Sequence, residues 1–136
     1  DPHGTDAYGR VIATCRTAEG VLNARLVREG RAVAYRQYST AYVAQETEAR
    51  RARRGLWAEG EPQMPWDFRR ASWNAANRAT PEADCPIKGN ISASGRIYHT
   101  PWSPHYARTR IDPARGERWF CSESEAIAAG WRPPRG

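Results

Sequence analysis

The side chains with the widest chemical reach in this 136-residue sequence are its arginines. Twenty of the 21 basic residues are Arg, and Lys88 stands alone. A guanidinium makes forked contacts to phosphate and carboxylate groups. With a formal net charge of +6 and an isoelectric point near 9.7, polyanions are the first partners to consider. The competing reading is general use of Arg in place of Lys, which carries no function. Arg50, Arg51, Arg53 and Arg54 are read in the same two ways, as phosphate contacts or as a solvated helix end favoured by the helix dipole. The cysteines are Cys15, Cys85 and Cys121, without a CxxC pair, which excludes a zinc ribbon. An odd count leaves two possibilities open. All three thiols are reduced and buried, or one bridge forms and the third thiol lacks an internal partner. No nucleophile elbow or comparable motif organises the Ser, His and Asp residues, so independent nucleophilic catalysis is rejected. Asp1 and Asp6 are near in sequence, but that nearness does not make a metal site.

These residues must be positioned by a modest fold. Apolar residues are 40% and charged residues 26%, which excludes a chain disordered by composition. No apolar run approaches the roughly 18–20 residues of a membrane helix. The opening lacks an initiator Met and a leader pattern, and residues 1–6 read as a turn, so the chain is expected to begin partway through a longer protein. Residues 7–16 alternate and are β-branched, which predicts a strand. Leu22 and Leu26 at i, i+4, with Gly30 as the cap, predict a short helix over 21–29. A second strand is expected over 31–36. A helix follows over 41–54, capped by Thr40 and ended by Gly55. Residues 71–84 are polar and rich in Ala and Asn, and read as a partly helical linker. Beyond it, Ile87–Ser92 and residues 97–100 predict a hairpin through Ala93-Ser94-Gly95. A third strand is expected over 118–121. Ser122-Glu123-Ser124-Glu125 is a capping box for a short helix closed by Gly130.

Two ordered sets of motifs carry resemblances. The first is Thr5-Asp6-Ala7-Tyr8-Gly9-Arg10-Val11, then Leu22-Asn23-Ala24-Arg25-Leu26-Val27-Arg28-Glu29-Gly30, Ala32-Val33-Ala34-Tyr35, Glu48-Ala49-Arg50 and Gly55-Leu56-Trp57. This set resembles the thermonuclease (staphylococcal nuclease-like) family over residues 1–70, and covers the C-terminal half of that domain. The resemblance implies an α+β, mainly β fold: part of an OB-type barrel with helices packed on it. It implies that Arg10 is the catalytic arginine that binds phosphate and stabilises its developing charge. Tyr8 matches a tyrosine on the terminal phosphate, and Tyr35 and Tyr38 fall near two base-side tyrosines. Ala7 stands where the family often has Lys, so one phosphate contact is expected to be lost. The complete family domain uses Ca2+. Its metal-binding aspartates and general base lie on strands that nothing here resembles, so no metal is expected on this chain. Packing or solvation is the structural alternative for Arg10, Tyr35 and Tyr38.

The second set is Cys85-Pro86-Ile87-Lys88-Gly89-Asn90-Ile91-Ser92, Gly95-Arg96-Ile97-Tyr98-His99, Tyr106, Gly116-Glu117-Arg118-Trp119-Phe120-Cys121 and Gly130-Trp131-Arg132. It resembles the small sunset domain, which is often appended to bacterial thermonuclease-like proteins, and would occupy residues 85–136 as a hairpin-and-helix unit. Cys85 and Cys121 lie at its two ends. A disulfide between them would close a long loop and add roughly 3–4 kcal/mol. The rival is a metal site of Cys85, His99, His105 and Cys121.

Together the resemblances imply part of a calcium-dependent nuclease acting on DNA or RNA, secreted or held in a bacterial cell envelope. The alternative is a non-catalytic module that binds nucleic acid or envelope polymer. Nucleic acid is the expected partner. A second copy, or an N-terminal fragment, is expected at an open sheet edge of the incomplete barrel.

Overall fold

The computed structural model describes residues 1–82 and 84–135. They divide into two compact units, Asp1–Pro62 and Gln63–Gly136.

In the first unit, the strand expected over 7–16 is shorter and pairs with residues that precede it. Strand β1 (Pro2–Thr5) runs antiparallel to β2 (Val11–Ala13), with Thr5 opposite Val11 and Gly4 opposite Ile12. Residues expected to form a turn therefore form a strand, and the turn lies at 6–10. The cause is Asp6. Its Oδ1 accepts from the Tyr8 and Arg10 amides, each at 2.9 Å, and its own amide donates to the Arg10 carbonyl at 2.9 Å. An Asp side chain that mimics a backbone turn reverses the chain here, and Gly9 supplies the positive φ of +77°. Thr14 still exchanges hydrogen bonds with Asp1, both at 2.9 Å, and beyond it the Cys15 amide is taken by Asn23 Oδ1 at 2.8 Å. A second ribbon follows, β3 (Arg16–Thr17) with β4 (Gly20–Val21). The described strands of this unit thus form two separate two-stranded ribbons.

Helix α1 (Leu22–Arg28) lies inside its expected span, and Gly30 ends it at φ +70°. Residues 31–36 form no strand. The Ala34 amide, which a ladder would need, donates to the buried Glu46 carboxylate at 2.7 Å, and Arg36 pairs with the same carboxylate at 2.8 Å. Helix α2 (Val43–Arg51) is shorter than expected at both ends. Thr40 is not its cap; Tyr42 holds that position, and the Thr40 carbonyl accepts from the Val43 amide at 3.2 Å. At the other end Arg53 adopts φ +50° and the chain turns into a 3-10 turn, Gly55–Trp57. Here the backbones of Gly30 and Gly55 touch. A Cβ on either would strike the other's segment, and Leu56 donates to the Gly30 carbonyl at 2.9 Å. The buried apolar set is small: Val27, Ala34, Ala49 and Trp57. Val11 and Ile12 remain outside it, 66% and 52% exposed.

The second unit opens with α3 (Pro65–Asn77), led by Pro65, a residue preorganised for the first helical turn. Residues 71–77 of the expected linker are the latter part of this helix. A three-stranded antiparallel sheet follows, in the order β6-β5-β7: β5 (Ile87–Ser92), β6 (Gly95–His99) and β7 (Arg118–Phe120). The two-residue turn Ala93-Ser94 sets Ser92 opposite Gly95, which has φ +98°. Ser122 caps α4 (Glu123–Ala128) by accepting from the Glu125 amide at 3.1 Å. The return arm of the capping box lands one residue early, with Glu125 accepting from the Cys121 amide at 2.8 Å. Ile87, Tyr98, Phe120, Ala126 and Trp131 form the core, with Trp73 of α3 packed on it. Gly89 lets this core close. A Cβ there would meet the Phe120 ring and come within 2.8 Å of Trp131 Nε1. No helix among the described residues is long and apolar enough to cross a membrane.

Candidate nucleic-acid interface

The turn at 6–10 holds the two principal site residues. Asp6 uses one oxygen on backbone amides and the other on Arg10, whose Nε lies 2.6 Å from Oδ2. The guanidinium sits over the Tyr8 ring, 4.9 Å from its centroid. Cation–π attraction and the ion pair therefore fix Arg10 from two sides. Its side chain is still 75% exposed, so the outer N–H groups face water. Burial acts to raise the Asp6 pKa, but the hydrogen bonds and charge of Arg10 and the Tyr8 amide hold it below the ordinary 3.8. The ion pair thus persists across the neutral range. The arrangement is a preorganised cation beside an aromatic face, suited to a phosphate and an adjoining sugar or base. Asp6 was missed as an organiser by sequence reasoning. The signal was its position two residues before Tyr8 and four before Arg10, the spacing of a side chain that caps its own turn.

Tyr35 and Tyr38 are also brought together, with ring centroids 4.9 Å apart at 65°. Tyr38 is 81% exposed, and the Tyr35 hydroxyl donates to Gln37 Oε1 at 3.0 Å. Neither ring is in the buried core, so they form an edge-to-face aromatic surface. Ala7 is exposed on the same turn as Arg10. Two of the four arginines at 50–54 are tied back to the protein. Arg50 pairs with Glu61 and covers Trp57, and Arg54 pairs with Glu48 at 2.8 Å, which also holds Arg28 at 3.1 Å.

Both aspartates of the first unit are already engaged. Both Asp6 oxygens are occupied by Arg10 and amides, and Asp1 Oδ2 is paired with Arg16 at 2.8 Å. Among the described residues no group of three or more His, Cys, Asp or Glu is placed to hold a metal ion. The rival Cys/His metal site fails for a chemical reason: Cys85 and Cys121 are joined in a disulfide, so neither can supply a thiolate. Their Cα atoms are 3.6 Å apart, closer than the usual range of about 4.4–6.8 Å. Cys15 is a free, exposed thiol. His99 lies in the second unit with Nε2 3.2 Å from Asn90 Oδ1.

Residues 1–59 match the family model described as Staphylococcal nuclease homologue. The first unit is staphylococcal nuclease-like. Residues 67–133 match a second family, ArfC. A micrococcal nuclease of Shigella flexneri is 42% identical over 85 residues, covering 53% of this chain and 49% of the relative. An uncharacterised endonuclease of Escherichia coli is 39% identical over 67 residues, covering 47% of this chain and 44% of the relative. A probable staphylococcal-like nuclease of Oryza sativa subsp. japonica is 34% identical over 76 residues, covering 54% and 21%. The chain therefore spans about half or less of the length of these relatives. No solved structure matches it.

Proposed function

We propose that the staphylococcal nuclease-like unit is the phosphate-binding side of a nuclease that hydrolyses phosphodiester bonds of DNA or RNA. The observation that carries this is the Asp6–Arg10–Tyr8 turn: an exposed guanidinium, fixed by a carboxylate and an aromatic face, in a unit of this family. Arg10 takes the phosphate and steadies charge developing on it. Tyr8 lies against the same group, and Tyr35 and Tyr38 offer stacking faces for a base.

The carboxylates for a calcium ion and a general base come from outside this set of residues, by addition to the β1–β2 ribbon that completes the OB-type barrel. The exposed Val11 and Ile12 on that ribbon support such an addition from an N-terminal segment; a second copy would cover the same edge but bring no new carboxylates. The Cys85–Cys121 disulfide supports an oxidising compartment, outside the cytosol or in the envelope.

The test is a hydrolysis assay on single-stranded DNA and RNA with calcium. The 136-residue chain is expected to bind but not cleave. Cleavage by this chain that chelator abolishes and Arg10→Ala abolishes again would place the metal site within it and defeat the reading.

A further inference from the structure

The second unit contains an unusual buried cation. Lys88 on the central strand β5 is only 8% exposed, yet no carboxylate pairs with it among the described residues. Its Nζ donates to two carbonyls, Thr109 at 2.8 Å and Tyr106 at 2.9 Å. The Tyr106 ring centroid is 4.2 Å away and that of Trp119 is 5.6 Å. Two carbonyl dipoles and two ring faces hold the ammonium without neutralising it, and an ammonium has three donors. Burial, then the nearby Arg110 charge, lowers its pKa.

Lys88 lines a cavity of about 360 Å³, within the size range of small-molecule sites. Trp119, Tyr106, Ile111, Ala76 and Ala79 give it an apolar wall, and Arg110 brings a second cation. Among the described residues no acidic side chain lines it. The three hydroxyls present are already donating, Thr109 to the His105 carbonyl at 2.8 Å, Thr80 to the Asn77 carbonyl at 3.1 Å and Tyr106 to the Pro86 carbonyl at 2.6 Å. Lys88 and Arg110 bring cationic donors to this cavity, and Trp119 adds a neutral indole N–H. A buried charge without a counter-charge is costly to a fold, and a bound anion relieves it.

We propose that this cavity is a binding site for a small organic oxyanion, a carboxylate or phosphate carried on a flat apolar body. The oxyanion sits between Lys88 and Arg110, and the apolar body lies along Trp119 and Ile111. The proposal is independent of the nuclease reading, because every residue it uses lies in the second unit.

The experiment is a titration of the full chain with benzoate, phenyl phosphate and benzyl alcohol, read by ¹H–¹⁵N spectra at the Trp119 indole and the Thr109 and Arg110 amides. At least one of the two anions is expected to saturate these signals and to bind at least tenfold more tightly than the neutral alcohol. The tighter anion shows which oxyanion the site prefers. Arg110→Gln, an exposed change that leaves the fold intact, is expected to weaken that anion by about three- to tenfold, the loss of one charge-assisted contact. Lys88→Met is expected to abolish selectivity for the anion. Should that variant not fold, the decision rests on Arg110→Gln and on the upward shift of the Lys88 ammonium pKa with bound anion. Equal binding of alcohol and anions, no saturation by either anion, or unchanged affinity in Arg110→Gln would overturn the proposal.

Discussion

Asp6 and Arg10 are joined three times: the Asp6 carboxylate takes the Arg10 Nε at 2.6 Å and the Arg10 amide at 2.9 Å, and the Asp6 amide donates to the Arg10 carbonyl at 2.9 Å. The same residue thus makes the turn and aims the cation. Shape and charge at this site have one origin, and a change at Asp6 separates them from the presence of Arg10.

Asp6→Ala keeps Arg10 but removes its tether. Binding of a single-stranded oligonucleotide is expected to weaken by about three- to tenfold, because an unfixed arginine must be ordered on binding. Fluorescence anisotropy of a labelled oligonucleotide measures it. Unchanged affinity would mean the tether does not preorganise Arg10.

Gly89→Ala places a methyl group against the Phe120 ring and Trp131 Nε1 in the core of the second unit. Overpacking of this kind costs about 1–3 kcal/mol. Hydrogen exchange at β5 amides is expected to accelerate accordingly. Gly116→Ala, whose Cβ would meet only the Ile91 side chain at 3.9 Å, carries the cost of its φ of +80° without a core clash. It is expected to leave β5 protection far closer to the parent.

The thiols give a count and an energy. The untreated native chain is expected to show one reactive thiol, Cys15, by a colorimetric thiol assay. The bridge spans 36 residues, so opening it in Cys85→Ser with Cys121→Ser is expected to cost about 3–4 kcal/mol in urea unfolding of the second unit. Three reactive thiols in the untreated protein would contradict the pairing.

Acid weakens the second unit through two groups. Burial, then the charges of His105, Arg108 and Lys88, lowers the His99 pKa below 6.5. Burial acts to raise the Glu117 pKa, but amide hydrogen bonds from Ile91 and Asp112 and the Arg115 charge hold it below 4.5. Both folded-state values lie below the unfolded ones. The stability each contributes is therefore full above its unfolded value and is lost as pH falls through its folded value. The urea midpoint of β5 exchange is expected to fall in two steps, the first below pH 6.5 and the second below pH 4.5. His99→Gln is expected to remove the first step and keep the second. A midpoint that rises on acidification would contradict this.

Much of the second unit was legible because its signals are local. The Ser92–Gly95 turn, the Ser122 cap and Gly130 each act within a few residues, and each lies where the sequence places it. The first unit was harder to read. Residues 31–36 have strand-like composition, but Glu46, ten or more residues away, takes the Ala34 amide. Nothing local marks that capture. Residues 2–5 became a strand because of the turn at Asp6, so a misplaced turn moved the whole pairing. Arg10 and Tyr8 were found by motif, whereas the cavity beside Lys88 was not, because its walls come from α3, β5, β7 and the loop between β6 and β7.

The central claim is that Arg10, fixed beside Tyr8, binds nucleic-acid phosphate. The most direct measurement is the affinity of the 136-residue chain for a single-stranded oligonucleotide across a salt series, with Arg10→Ala in parallel. The account predicts salt-dependent binding that Arg10→Ala weakens by about tenfold, with a shallower slope of log affinity against log salt, as removal of one phosphate contact requires. Binding with the same affinity and the same slope in Arg10→Ala, or no binding at low salt, would contradict it.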